Sequence, residues 1–408
     1  MMADGRSREQ VMEYTYDYLI IGGGMAGDAA AKAIRSADAS ASIGLVGAES
    51  SPPYERPPLS KALWKGDKSP DSIDLGTAAT GVHLHLGRRV QVLDAANRRA
   101  VDDRGDGYRY GRLLLATGAT PRQLPFAGND RVIYFRTIED YRRLRALAAD
   151  GAHIAVVGGG FIGSELAASL TGVGCRVTML FPGGSIGSGR YPAALAAFLD
   201  DYYRERGVEL LPGVKVVGGS AGKDGVELVL SDGRRLQVGA VVAGLGVTPD
   251  TALASQAGLA VGDGVVVDAQ LRTSDPHIWA AGDMASFFNS SLGRRLRVEH
   301  ENAAVDMGAH AGRAMAGAGG DYTTLPYFYS DLFDLGYEAV GLLDARLQQV
   351  EDWSEPHRKG VVYYLDDGRV RGVLLWNVWG QVDAARELIA QVGPFRADSL
   401  RGRIPHDG

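Results

Sequence analysis

Tyr18-Leu-Ile-Ile-Gly-Gly-Gly-Met-Ala-Gly27 and Ile154-Ala-Val-Val-Gly-Gly-Gly-Phe-Ile-Gly163 say nearly the same thing, a domain's length apart. Each is a short apolar run that ends in glycines spaced Gly-x-Gly-x-x-Gly: Gly22, Gly24 and Gly27, then Gly158, Gly160 and Gly163. A strand that turns sharply into a helix needs this spacing to hold a dinucleotide. The first glycine allows the tight turn, the second lets a diphosphate approach the backbone, and the third lets helix and strand pack closely. The diphosphate then meets the positive end of the helix.

The surroundings of both motifs fit that reading. Alanine-rich Met25 to Ile34, which contains Ala26, predicts a helix after the first motif, and Ser42-Ile-Gly-Leu-Val46 a second strand. Glu49 stands just beyond, about where an acid should hold the ribose hydroxyls. The second unit repeats the plan with a helix over Phe161 to Leu170 and a strand over Cys175 to Phe181. Its strand ends Met179-Leu-Phe-Pro-Gly-Gly-Ser185, with no acid at the ribose position. Sites for a 2′-phosphorylated nucleotide often replace the acid with an arginine, and Arg190 is close by in sequence. Strands alternating with helices imply parallel sheets. The expected fold class is therefore α/β with two Rossmann-like dinucleotide-binding domains.

Between the motifs, His83 to Tyr110 reads as short strands and turns, and a further strand ends at Ala116-Thr-Gly118. Val226 to Leu230 and Val238 to Val242 read as strands, followed by Gly244-Leu-Gly-Val-Thr-Pro249. From Leu325 the texture changes to alternating strands rich in aromatics, with a last helix over Asp383 to Val392. This predicts a small α+β C-terminal domain. The expected layout is a discontinuous first domain (1–121 and 249–324), a second (122–248) and a third (325–408).

Composition narrows the function classes. The net charge of −6 argues against general nucleic-acid binding. No apolar run reaches the roughly 18 residues that span a bilayer, and the start lacks a basic-then-apolar leader pattern, so a cytoplasmic protein without a membrane span is expected. The single cysteine, Cys175, excludes an intrachain disulfide, a CxxC redox pair, an iron–sulfur cluster and a cysteine zinc site. A buried bystander thiol is expected. His83 and His85 alternate on a strand without a third ligand, so no metal is expected. Trp376 and Trp379 read as packing residues.

Five ordered features resemble the flavoprotein reductases with two dinucleotide-binding domains, a glutathione reductase-like fold. They are the two fingerprints, the strand ending Ala116-Thr-Gly118, the Gly244–Pro249 hinge, and Thr273 followed by Ala281-Gly-Asp283. Pro53-Tyr-Glu-Arg-Pro-Pro-Leu-Ser-Lys61, Val298-Glu-His300 and Tyr327-Phe-Tyr-Ser-Asp-Leu-Phe333 are similar to signatures of one branch. That branch contains the oxygenase-coupled ferredoxin reductases, such as those serving putidaredoxin and biphenyl dioxygenase, and apoptosis-inducing factor. The resemblance implies FAD in the first domain and NAD(P)H in the second. It makes Arg56, Lys61 and Asp283 FAD contacts, with Lys61 near the flavin ring and Asp283 on the ribityl chain. Val90 falls near the adenine, and Ala116, Thr117, Gly118 and Arg122 near the diphosphate or the crossover. Phe161, Ile162 and Glu165 flank the nicotinamide, Glu165 gripping its carboxamide or pairing with Lys61. Glu299 and His300 border the flavin's pyrimidine edge. Tyr329 stands where relatives carry a tryptophan, and Ala48 where some carry the ribose carboxylate.

The implied activity takes a hydride from NADH, or from NADPH, onto FAD and passes electrons singly to a ferredoxin-type iron–sulfur partner. An NADH oxidase or quinone reductase, or a redox-sensing interaction protein, are the alternatives. Either a monomer or a homodimer fits. An acidic ferredoxin needs a local basic surface, and Gly293-Arg-Arg-Leu-Arg297 and Tyr141-Arg-Arg-Leu-Arg145 are the candidates.

Overall fold

The structure, a computed structural model, describes residues 11–407. The first fingerprint closes the strand Glu13–Ile21 and opens the helix Met25–Ala37. That strand lies inside a seven-stranded sheet, flanked in parallel by Ile43–Gly47 and Gly107–Leu115, with Tyr18 opposite Ile43 and Arg112. His83–Leu86 extends the sheet on one side, and Val90–Asp94 and Arg99–Asp102 add an antiparallel edge on the other. The strand Ile278–Ala280 returns from far along the chain to pair in parallel with Gly107–Leu115.

A second returning element completes this unit. The helix Glu301–Met315 crosses Met25–Ala37 at backbone contact. A side chain on Gly308 would fall 2.2 Å from the Ala26 carbonyl oxygen, and one on Gly312 2.5 Å from that of Ala30. Two small-residue faces let the helices approach so closely, and the approach fixes where the start of Glu301–Met315 points.

The second fingerprint closes His153–Val157 and opens Phe161–Gly172 in an all-parallel five-stranded sheet. The order there is Glu209–Pro212, Arg176–Phe181, His153–Val157, Ala240–Ala243 and Val132–Tyr134. The run Val238 to Val242, expected as one strand, is broken at Gly239. Arg235–Val238 belongs to a separate antiparallel meander, and Gly239 N–H donates to the His153 carbonyl to hand the chain on to Ala240–Ala243. A two-stranded ribbon joins the two units where Val247–Pro249 pairs antiparallel with Ala119–Pro121.

The tail forms a five-stranded antiparallel sheet ordered Tyr327–Leu332, Leu335–Gly341, Arg369–Trp376, Lys359–Asp366, Gln348–Glu355. Period-2 alternation divides its faces. Val362, Tyr364, Leu374 and Trp376 join the core of the second unit, while Val361, Tyr363, Val373 and Leu375 pack under the helix Val382–Ala390. Trp376 is fully buried, whereas Trp379 is 43% exposed and packs against Gly336. Cys175 is buried, and burial raises its thiol pKa. No helix of the described residues is long and apolar enough to cross a membrane.

Candidate active site

Both fingerprints open onto one cleft of about 1240 Å³. Gly22 has φ +128°, and a Cβ there would fall 2.0 Å from the Ala116 carbonyl oxygen; at Gly27 it would fall 2.1 Å from the Gly22 oxygen. The second motif repeats this contact. A Cβ on Gly158 would meet the Gly244 oxygen at 2.2 Å, and one on Gly163 the Gly158 oxygen at 2.0 Å. These four glycines are required by backbone packing. The middle glycines differ. Around Gly24 and Gly160 the nearest atoms are Arg56 Nη2 and Arg190 Nη2, each 3.9 Å from an added Cβ. Neither Gly24 nor Gly160 gives its helix a side-chain cap. The first-turn N–H groups are therefore free for an anion. Two uncapped helix starts with open glycines fit two dinucleotides.

Around the first helix start, charges form a chain across the cleft. Arg56 Nη2 and Tyr54 Oη donate to Glu49 at 2.6 and 2.5 Å. Arg56 Nη1 donates to the Arg136 carbonyl at 2.8 Å, and Arg136 Nη2 pairs with Asp283 Oδ2 at 2.6 Å. Toward the second helix, Lys61 Nζ lies 2.9 Å from Glu165 Oε1. The same carboxylate accepts Ser60 Oγ at 2.6 Å and Ser330 Oγ at 2.7 Å, so two separate segments, Ser60-Lys61 and the strand of Ser330, meet on it. Lys61 Nζ also stands 4.6 Å from the Tyr329 ring centre. His300 stacks on Phe328 at 4.3 Å, and Phe161 meets both rings edge-on. Burial lowers the His300 pKa to about 4, helped by Arg190 and Lys61 and opposed by Asp283, so its imidazole is neutral at pH 7.

Of the residues expected at the site, Gly22, Gly24, Ala26, Glu49, Arg56, Lys61, Val90, Ala116, Thr117, Gly118 and Asp283 line the cleft. So do Glu299, His300, Tyr329, Gly160, Phe161, Ile162, Glu165 and Gly244. Gly27, Gly158 and Gly163 lie beneath it as packing glycines. Arg122 directly follows the ribbon strand Ala119–Pro121. Its backbone N–H donates to Gly246 in the ribbon, while its side chain is exposed and outside the cleft. The cleft instead receives Arg136, which follows the strand Val132–Tyr134 and carries no motif. Arg88 also lines it, held by Asp102 and Asp106 at 3.2 and 3.1 Å.

The first basic cluster is spent largely on the protein itself. Arg295 Nη1 donates to the Val267 and Ser286 carbonyls, and Arg297 pairs with Asp263 and Glu299. In the second, Arg142 pairs with Glu139, and Arg145 covers the Trp64 ring at 5.3 Å. His83 and His85 both turn to the Tyr16 hydroxyl, His85 Nε2 at 2.8 Å. Among the described residues no three His, Cys, Asp or Glu side chains converge as a metal set.

Two family models match the chain. The family described as "Pyridine nucleotide-disulphide oxidoreductase" matches residues 16–308. The one described as "Apoptosis-inducing factor, mitochondrion-associated, C-term" matches residues 348–391. The ferredoxin–NAD(+) reductase component of the anthranilate 1,2-dioxygenase system of Burkholderia cepacia is 35% identical over 382 residues, 91% of this chain and 94% of that protein. Apoptosis-inducing factor 1 of Dictyostelium discoideum is 32% identical over 428 residues, 93% of this chain and 80% of that protein. Among solved structures, the covalent putidaredoxin reductase–putidaredoxin complex superposes with a TM-score of 0.86 at 31% identity, covering 91% of this chain and 92% of that one.

Proposed function

The chain belongs to the pyridine nucleotide-disulphide oxidoreductase family, and within it we propose an NAD(P)H-dependent flavoprotein reductase that serves a ferredoxin-type iron–sulfur partner of an oxygenase system. The observation that carries the reading is that two uncapped, glycine-opened helix starts face one cleft, with the Lys61–Glu165 pair between them. FAD and NAD(P)H are the cofactors. Bound FAD supplies the ability to take up an electron pair and release it one electron at a time.

In this reading the Gly22–Gly24 turn holds the FAD diphosphate, Glu49 its ribose, and Asp283, oriented by Arg136, its ribityl hydroxyls. Lys61 brings a positive charge to the isoalloxazine, stabilising negative charge that develops there. Ser60 and Ser330 hold the Glu165 carboxylate in place, which keeps the Lys61 ammonium from turning away. The Phe161, His300 and Phe328 rings exclude water from the nicotinamide side. Residues 1–121 with 249–324 form the FAD unit, 122–248 the nicotinamide unit, and 325–408 the closing domain.

The match over residues 348–391 favours one second reading, an interaction protein related to apoptosis-inducing factor whose redox state controls binding. One experiment separates the two. The purified protein is reduced anaerobically with NADH, then mixed with an oxidised ferredoxin or with a small quinone. Rapid one-electron reduction of the ferredoxin supports the reductase. A flavin that reduces within seconds yet passes electrons to neither acceptor favours the interaction protein.

A further inference from the structure

Among the described residues, Arg190 is the cation of the cleft's interior that no acid answers. Arg56, Lys61, Arg88, Arg136 and Arg297 line the same cleft, and each has a carboxylate within 3.2 Å. Arg89 lacks one too, but it is exposed to solvent. Arg190 is mostly covered, and among the described residues no carboxylate lies within ion-pairing distance of it. Its Nε is buried without a hydrogen-bond acceptor. What it does touch is the Phe161 ring, with the guanidinium carbon 4.1 Å from the ring centre. A stacked guanidinium is held by its face, so its in-plane N–H donors stay available to an anion.

The backbone decides where those donors can reach. Arg190 sits in the loop between Arg176–Phe181 and the helix Ala193–Glu205. Gly187 N–H ties that loop to the Gly159 carbonyl at 3.0 Å, inside the second fingerprint. From the other side, Tyr364 Oη donates to the Arg190 carbonyl at 2.8 Å, and Ala345 N–H to that of Gly189 at 3.0 Å. The loop is thus fastened to both the turn and the C-terminal sheet. Nη2 lies beside Gly160, at the uncapped start of Phe161–Gly172. No residue from 166 to 189 lines the cleft, so the end of the strand at Phe181, where a ribose 2′-substituent belongs, is outside this concavity.

We propose that Arg190 binds the diphosphate of the nicotinamide nucleotide, and not a 2′-phosphate on its adenosine ribose. The inference rests on the second fingerprint being the nicotinamide site. The planar fork of an arginine matches two phosphate oxygens at once, and the helix start adds N–H donors to the same anion. Because NADH and NADPH carry the same diphosphate, Arg190 strengthens both equally and cannot choose between them. With no acid after Phe181, the ribose end adds little discrimination.

The test is binding to the FAD-loaded protein, measured calorimetrically with ADP-ribose and with its 2′-phosphorylated form. Arg190→Ala should weaken both ligands by about tenfold or more, as loss of a charge-assisted phosphate contact does, and leave their ratio unchanged. Arg190→Lys should recover part of the loss. Inorganic diphosphate should compete with ADP-ribose in the wild type, a measurement that stands even if the alanine variant folds poorly. A loss confined to the 2′-phosphorylated ligand would overturn the proposal, as would equal binding by wild type and Arg190→Ala, or no competition by diphosphate. If the wild type binds neither ligand, the nicotinamide reading falls and this inference with it; if it binds both but is indifferent to Arg190, only the inference falls.

Discussion

Lys61 and Glu165 meet at 2.9 Å with both side chains nearly buried, one on the loop after Pro57–Ser60, the other on the helix of the second fingerprint. A buried pair of this kind is sensitive to the loss of one member, because the survivor is left without a counter-charge. Glu165→Ala should therefore cost about 3–5 kcal/mol of stability, and Lys61→Met with Glu165→Leu together should cost less than Glu165→Ala alone. Denaturant unfolding of the three proteins gives that order. Stopped-flow mixing with NADH should show slower flavin reduction in Lys61→Ala and Glu165→Ala, with FAD content less affected. Wild-type reduction rates in both would remove the pair from the electron-transfer face.

Arg136 and Asp283 predict a different signature. Arg136 joins Asp283 to Arg56, so its loss disturbs the FAD side of the cleft and not the nicotinamide side. Arg136→Ala should weaken FAD retention by about tenfold or more, since truncation leaves the buried Asp283 carboxylate unpaired. The affinity for ADP-ribose should stay within about twofold, far less than a broken ion pair costs. Gel filtration followed by flavin fluorescence of the released cofactor measures the first, calorimetry the second. Full FAD retention in the variant would separate Arg136 from the cofactor.

His300 gives the pH dependence. Its folded pKa is lowered from 6.5 to about 4, chiefly by burial, so between those values the unfolded chain takes up a proton that the folded chain refuses. The stability it permits is complete above the unfolded pKa and is lost as pH falls through the folded one, up to about 3 kcal/mol in all. His300→Phe keeps a ring against Phe328 but removes the titration. Unfolding midpoints measured from pH 7.5 to 4.5 should fall less steeply in this variant. Parallel slopes would mean that other groups carry the acid sensitivity.

Much of this was legible in the sequence, and what was not has a common cause. Gly22, Gly27, Gly158 and Gly163 are fixed by contacts with a neighbouring turn or strand, so their spacing announces them. Lys61 and Glu165 were placed by family resemblance, and the structure brings them together. Arg136 and Arg190 carry no spacing signal, because each reaches the cleft from a loop whose path is set by distant partners, Tyr364 in the case of Arg190. Arg122 is close to the Gly118 turn in sequence, but that proximity does not tell which way the ribbon turns its side chain, which is exposed. Gly239 was read as part of one strand because a glycine inside an apolar run leaves the pattern intact while letting the chain change sheets.

The last prediction moves the expected docking surface. Three arginines after Gly293 looked suited to an acidic ferredoxin, but Arg295 and Arg297 are engaged by backbone carbonyls and acids, leaving Arg294. A groove of about 880 Å³ on the outer side of the cleft is better situated. Met25, Pro57, Lys61, Glu301 and Tyr329 line both spaces, so the groove lies one side chain away from the centre of the site. Within it, Lys32 and Lys68 are tied to Asp28 and Glu55. Lys65 and Arg313 are exposed, and among the described residues neither has an ion-pair partner. A chain of net charge −6 needs such local positive charge to attract an acidic partner. Lys65→Glu with Arg313→Glu should slow reduction of an acidic ferredoxin by about tenfold at low ionic strength, with the difference shrinking as salt is added. Arg294→Glu should change it little. Reduction of a small uncharged quinone should be unaffected in both variants, which separates lost docking from damage to the flavin site. If instead Arg294→Glu alone abolishes the salt dependence, electrons leave by the Arg294 side and the groove is not the docking surface.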